Sequence, residues 1–118
     1  MKTSYFFSGK LNQNQNLVSI SMKIPKTILD KFPNIQIYKP LCPGWQLVQD
    51  YKSGKITSKE YTERYIKYVL IKLDPQQVYY RLGQDAILLC WEKPGNFCHR
   101  LIVVDWLETN LNIKIDEL

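Results

Sequence analysis

Three consecutive residues, Cys98, His99 and Arg100, have side chains that can do chemistry near neutral pH. A thiol at the start of a helix has its thiolate stabilised, histidine can exchange a proton, and arginine can bind a phosphate or carboxylate through paired hydrogen bonds. Upstream, Cys90 could line the same site, and Glu92 could bind a ribose hydroxyl or act as a general base. We predict catalytic roles for His99, Glu92 and Cys98, and ligand-binding roles for Arg100 and Cys90.

Each of these residues also has a structural interpretation, which the sequence leaves open. Cysteine is among the most buried residue types, so both thiols could be small apolar core groups. His99 could hydrogen-bond a neighbouring loop, and Arg100 could form an ion pair with Glu92 or Asp105. Three such residues in a row nevertheless favour a functional site.

The elements around this run should place it at the edge of a sheet. Residues 86–91 are apolar at every position, which is typical of a central parallel strand covered on both faces. A turn at Pro94-Gly95 follows, with Asn96 as the N-cap of a helix over residues 97–110 and a final strand at residues 113–115. We expect the first turn of this helix to face an exposed hollow, where its free amides favour an anion.

The rest of the chain supplies further strands and helices. Short apolar runs predict strands at residues 5–7 and 17–21, and proline-rich residues 22–44 predict a wrapping loop with one short helix at 27–31. We predict further helices at residues 45–51, at 58–72 after a capping box of Thr57 and Glu60, and between Asp74 and Gly83. The fold class expected is a single α/β domain over residues 1–118. It has three layers and a mainly parallel, Rossmann-like sheet of about four strands.

The loops after the first two strands complete the predicted pocket. Ser8, Ser21 and Lys23 follow those strands and should lie beside the central one. The leading function is a pocket for an anionic, nucleotide-like small molecule, with cleavage of that ligand left open. The alternatives are a nucleic-acid-binding accessory protein and thiol chemistry at Cys98.

Composition limits the other classes of function. The 118 residues carry a formal net charge of +5, which modestly favours anionic partners, and no apolar run is long enough for a membrane span. The three cysteines have no disulfide-framework spacing, so we expect free thiols and a cytoplasmic location. No Cys-x-x-Cys pair, Walker loop or Gly-x-Gly-x-x-Gly occurs, so we expect no metal and no cofactor. The oligomeric state stays open.

The run LLCWEKPGNFCHR at residues 88–100, continuing to Asp105-Trp106-Leu107, resembles the hallmark of the bacterial and viral family called domain of unknown function 488. Segments that agree elsewhere are Thr3 to Phe6, Ile20-Ser21 before Pro25, Leu41 with Pro43 and Trp45, and residues 51–65. Many relatives carry a second histidine where this chain has Leu101, so no two-histidine mechanism is implied here. The resemblance implies a compact α/β fold with a shared pocket and no established activity.

Overall fold

The apolar run that begins at Ala86 forms the central strand of a five-stranded sheet in which every strand pair is parallel. The computed structural model describes residues 1–118. The strands are β1 (Lys2–Tyr5), β2 (Asn16–Ser19), β3 (Gln36–Ile37), β4 (Ala86–Cys90) and β5 (Asp116–Glu117), in the order β3-β2-β4-β1-β5. All five positions of β4 are buried, as its lack of polar residues predicts. The α/β class is confirmed, with one strand more than expected.

Five α-helices connect or flank the strands. They are α1 (Lys26–Lys31), α2 (Trp45–Lys52), α3 (Ser58–Tyr68), α4 (Pro75–Leu82) and α5 (His99–Leu111). The capping box is confirmed, because Thr57 accepts from the Glu60 amide and Glu60 accepts from the Thr57 amide. The predicted start and end of α4 are also confirmed: Asp74 caps it, and Gly83 ends it at a φ of 93°. None of the helices is both long and apolar enough to span a bilayer.

Side-chain alternation along the strands divides the core between the two faces of the sheet. On one face, Ile28 of α1 and Phe32, which directly follows the helix, pack against Leu17 and Leu89. The other face carries a larger core made with α3, α4 and α5, whose buried members include Tyr65, Val78, Val103 and Leu107. This arrangement of helices on both sides of a parallel sheet is the predicted three-layer, Rossmann-like architecture.

Several predicted boundaries shift. The first strand begins at Lys2 and leaves Phe7 in the following loop, and β4 ends at Cys90, so Trp91 lies outside it. The prediction of Asn96 as N-cap is wrong, because α5 begins at His99 and Cys98 occupies the N-cap position without a side-chain cap. β3 lies in the segment that was predicted to be a loop. It was missed because an edge strand of two residues leaves little trace in the sequence.

The order of the strands places a topological switch point between β2 and β4, and we refer to the space above it, between the loops after these two strands, as the crevice. After β2, the chain runs outward through α1 to β3 on one face of the sheet. After β4, it runs in the opposite direction through α5 to β5 on the other face. The two connections therefore diverge above adjacent strands, which is the topological switch point at which open α/β sheets bind ligands.

Candidate functional site

The carboxyl ends of β2, β4 and β1 lie side by side, as predicted. Ser19 pairs with Leu89 and Tyr5 pairs with Cys90, so the three strands end at nearly the same level. The backbone amide of Ile20 donates to the carbonyl of Leu89 at 3.0 Å and continues this alignment beyond the strand. The fold therefore brings the loops that carry Ser8, Ser21, Lys23 and Glu92 to one edge of the sheet.

The expectation that all three cysteines are free thiols is wrong. The structure joins Cys90 at the end of β4 to Cys98 at the N-cap of α5 in a disulfide, with their Cα atoms 7.4 Å apart. Cys42 is the free cysteine. The turn after β4 folds back on itself and brings the two sulfurs together, which the spacing in the sequence did not reveal. In this form Cys98 has no thiol to act as a nucleophile.

His99 is buried and directed into the fold. Its Nε2 lies 2.7 Å from the carbonyl oxygen of Ile20, and its Nδ1 lies 3.9 Å from Sγ of Cys98. Burial lowers the pKa of His99 to about 4, with the hydrogen bond to Ile20 opposing that shift and the charge of Arg100 adding to it. The ring is therefore neutral at pH 7. Because a carbonyl only accepts, Nε2 carries the proton and Nδ1 is the free acceptor.

Arg100 is 1% exposed, and its guanidinium binds groups of the protein itself. Nη1 donates to the Glu117 carboxylate at 2.6 Å and to the Thr3 hydroxyl at 3.2 Å, while Nη2 donates to the backbone oxygen of Glu92 at 3.4 Å. Nε has no partner. The ion-pair interpretation of Arg100 thus describes the structure, although its carboxylate partner is on β5 and is neither Glu92 nor Asp105.

The prediction that the first turn of α5 faces an exposed hollow is wrong. Cys98, His99 and Arg100 are all buried, because packing of α5 against the sheet turns these side chains inward. A surface groove of about 410 Å³ lies between α3 and α5 and is lined by Ile66, Leu101 and Trp106 among others. None of the candidate site residues lines it.

The exposed part of this edge consists of aromatic and basic side chains. Trp91 is 43% exposed, and its indole N–H donates to the carbonyl of Lys23 at 3.0 Å. Phe7 is more exposed than Trp91, and its ring centroid lies 6.4 Å from that of the indole. Lys23 is exposed, whereas Ser21 and Glu92 are half-buried. The half-buried Ser8 accepts a hydrogen bond from the Lys10 amide.

Sequence reasoning missed two kinds of residue at this edge. Trp91 was assigned to the central strand and Phe7 to the first, so neither was expected to be exposed beside the crevice. Tyr65 was correctly placed on an apolar helical stripe, but its ring also contacts His99 at a centroid distance of 5.7 Å. Its hydroxyl donates to the carbonyl of Leu41 at 2.5 Å, and burial raises its pKa well above the ordinary value. The position of Trp91 directly after an apolar run was the available signal.

The fold and the site define a small three-layer α/β protein with a topological switch point beside a buried Cys-His-Arg cluster. The chain belongs to the domain of unknown function 488 family. A family model described as the active DUF488-N3 subclade matches residues 20–111, which include β3, β4 and all of α5. No curated protein and no solved structure matches the chain.

Proposed function

We propose that the crevice between the carboxyl ends of β2 and β4 binds an anionic, nucleotide-like small molecule. The observation that supports this most strongly is the divergence of the two connections above these strands, since open α/β sheets bind ligands at such a point. The proposed contacts come from the loops after β1, β2 and β4. Arg100, which was predicted to bind the ligand, makes no direct contact in this proposal, because Glu117 already neutralises its charge.

The exposed and half-buried residues around the crevice, which we call its rim, suit a ligand that has both an aromatic ring and an anionic group. They are Phe7, Ser8, Ser21, Lys23, Trp91 and Glu92. Trp91 and Phe7 offer exposed aromatic surface, and stacking of a base on such a ring contributes about 1 to 3 kcal/mol. The bond from the indole to the Lys23 carbonyl fixes the orientation of the tryptophan and holds the two loops together. Lys23 then supplies a cation, and Ser8 and Ser21 supply hydroxyl groups for an anionic group.

Glu92 is the acidic group at the rim. It is half-buried, and its backbone oxygen is held by Arg100, so its position relative to the crevice is fixed by the buried cluster. A carboxylate there can accept hydrogen bonds from ribose hydroxyls or take a proton from a reacting group. The variant Glu92→Gln separates the two roles, because a binding protein loses only affinity whereas an enzyme loses product formation.

We also infer a cytoplasmic location and an anion-binding role in that compartment. The net charge of +5 favours anionic partners, and an odd number of cysteines without framework spacing is typical of a reducing environment. In such a compartment the Cys90–Cys98 pair is reduced to two thiols, in contrast to the disulfide of the structure. The hydrogen bond from Trp91 to Lys23 and the hydrogen bond from His99 to Ile20 do not involve the disulfide.

A thermal-shift panel tests the proposal. The purified protein is heated with AMP, GMP, CMP, UMP and their 3′,5′-cyclic forms, with inorganic phosphate and the free nucleosides as separate arms. A ligand that binds only the folded state must raise the Tm, and the rise continues with the logarithm of the ligand concentration above Kd. We expect at least one nucleotide to raise the Tm, and its nucleoside and phosphate to do so less. A panel in which no nucleotide raises the Tm contradicts the proposal.

Matched variants assign the contacts. Trp91→Ala should weaken binding of the nucleotide found in the panel by roughly 5- to 150-fold in calorimetry, because the stacking surface is lost. Tyr80→Ala is the control, since Tyr80 is 85% exposed on α4. Lys23→Ala should also weaken binding, and Lys2→Ala at the amino end of β1 should leave it unchanged. Equal effects of the Trp91 and Tyr80 variants would rule out the crevice.

Salt dependence separates the nucleic-acid alternative. A mononucleotide in a crevice should lose little affinity between low and moderate salt, because few counterions are released. An oligonucleotide held by scattered lysines should lose affinity steeply. Tight, salt-sensitive binding of single-stranded DNA or RNA, with no response to any mononucleotide, would favour the nucleic-acid-binding function over the one proposed.

A further inference from the structure

Cys90, Cys98 and His99 bring three metal-ligating atoms together in the core beneath the crevice. The two sulfurs and one imidazole nitrogen lie within 4.8 Å of one another, and all three residues are buried. The spacing in the sequence argued against a metal, because Cys98 and His99 are adjacent and no Cys-x-x-Cys pair exists. The fold removes this objection: Cys98 has extended backbone angles at the N-cap while His99 begins the helix, so Nδ1 lies 3.9 Å from Sγ.

The second contact of the imidazole is the one that a metal-binding histidine needs. Nε2 donates its proton to the buried carbonyl of Ile20, which fixes the tautomer and the orientation of the ring. The lone pair of Nδ1 is then free and faces the cysteine sulfur. Histidines that bind metals almost always donate their other ring N–H to a carbonyl or carboxylate in this way. The support for a ligand is therefore present in the fold without a metal.

We propose that reduction of the Cys90–Cys98 disulfide creates a site for a divalent, borderline-soft cation of the Zn²⁺ type, with both sulfurs and Nδ1 of His99 as ligands. Two equivalents of an external thiol supply the two electrons and two protons that convert the disulfide to two thiols, and they leave as one external disulfide. Binding of the cation releases the two thiol protons. This proposal goes beyond ligand binding in the crevice and does not depend on it.

The donor set selects the class of cation. Thiolate and imidazole favour Zn²⁺ over Mg²⁺ or Ca²⁺, which prefer oxygen ligands. Two thiolates neutralise the charge of a divalent ion, and the nearby Arg100 keeps its own partner in Glu117. Three protein ligands leave one tetrahedral position for water, as in catalytic rather than structural zinc sites.

The test is a titration of the untagged full-length protein with Co²⁺ and then Zn²⁺. The protein is reduced with a phosphine and counted for three free thiols. We expect one equivalent of Co²⁺ to produce a thiolate-to-cobalt charge-transfer band, which Zn²⁺ then removes. The same protein kept in its disulfide form is the matched control and should show no band. Fully reduced, folded protein without a band would overturn the proposal.

Variants and native mass spectrometry identify the ligands. Cys98→Ser and His99→Gln should each weaken Co²⁺ binding at least tenfold, whereas Cys42→Ser should bind normally because Cys42 lies outside the cluster. In native spectra of the reduced wild-type chain, one Zn²⁺ should add its mass less that of two protons. A band lost in Cys42→Ser and kept in Cys98→Ser would overturn the assignment, as would a zinc adduct that also forms on the disulfide form.

Discussion

Nε2 of His99, in the first turn of α5, lies 2.7 Å from the carbonyl oxygen of Ile20, the residue that follows β2. A second bond joins the same two parts of the chain, because Trp91 donates to the carbonyl of Lys23 at 3.0 Å. These two hydrogen bonds span the crevice from the β4 side to the β2 side. The buried residues of the family hallmark therefore position the exposed residues that we propose to contact the ligand.

Replacing His99 should destabilise the protein. His99→Ala removes the donor to Ile20 and leaves a cavity beside Tyr65, so we expect the free energy of unfolding to fall by about 2 to 4 kcal/mol. Urea denaturation followed by tryptophan fluorescence measures the change. The exposed Tyr80→Ala should shift it by less than about 0.5 kcal/mol. Similar losses in the two variants would show that the bond across the crevice contributes little.

The Arg100–Glu117 ion pair should contribute far more to the free energy of unfolding than the exposed Lys114–Asp116 pair. Arg100 is almost fully buried, so Glu117→Gln leaves its charge without a carboxylate and should cost about 2 to 4 kcal/mol. Asp116 pairs with Lys114 at 3.7 Å on the surface, and Asp116→Asn should cost less than about 0.5 kcal/mol. Chemical denaturation of both variants provides the comparison. A Glu117 variant as stable as the Asp116 variant would contradict the buried-pair description.

Removal of two adjacent hydroxyl groups on β1, those of Thr3 and Ser4, should have different effects on the stability of the fold. Thr3 donates to the carbonyl of Leu88 and accepts from Arg100, so Thr3→Val should destabilise the fold by about 1 to 3 kcal/mol. The buried hydroxyl of Ser4 has no partner, so Ser4→Ala should be neutral or stabilising. Melting temperatures of the two variants test the contrast. Loss of stability in Ser4→Ala equal to that in Thr3→Val would contradict it.

Most of the fold could be predicted from local signals in the sequence. The apolar run at Ala86 indicated the central strand, and Thr57 with Glu60 fixed the start of α3. β3 could not be predicted, because an edge strand of two residues has no periodicity to detect. The start of α5 was placed too early because Asn96 is a better capping residue than Cys98, and tertiary packing overrode that preference.

The sheet edge at which the candidate residues lie was predictable, but the burial of their side chains was not. The hallmark run pointed to the edge where β4 ends. Whether Arg100 faces solvent depends on Glu117, which only the folded chain brings within 2.6 Å. The contact of Cys90 with Cys98 depends likewise on the path of the intervening turn. Local sequence patterns carry no information on such pairings.

The free thiol of Cys42 should react slowly at neutral pH. Burial raises its pKa to about 11, although the charge of Lys39 opposes the shift. Because the unfolded thiol ionises near pH 9, this group favours the folded state below that pH, and its contribution falls as the pH rises from about 9 to 11. In the non-reduced protein, we expect one alkylation by iodoacetamide, with a rate still rising at pH 10. A rate that levels off near pH 8.5 would contradict the shift.

The tryptophan indole signals in NMR report directly on nucleotide binding at the crevice. Trp45, Trp91 and Trp106 each give one indole N–H resonance, and only Trp91 lies at the crevice, where its N–H bonds to Lys23. The labelled protein is titrated with each nucleotide of the thermal-shift panel. We predict that at least one nucleotide moves the Trp91 signal in a saturable way and leaves the Trp45 and Trp106 signals in place. A Trp91 signal that stays fixed with every nucleotide would contradict it.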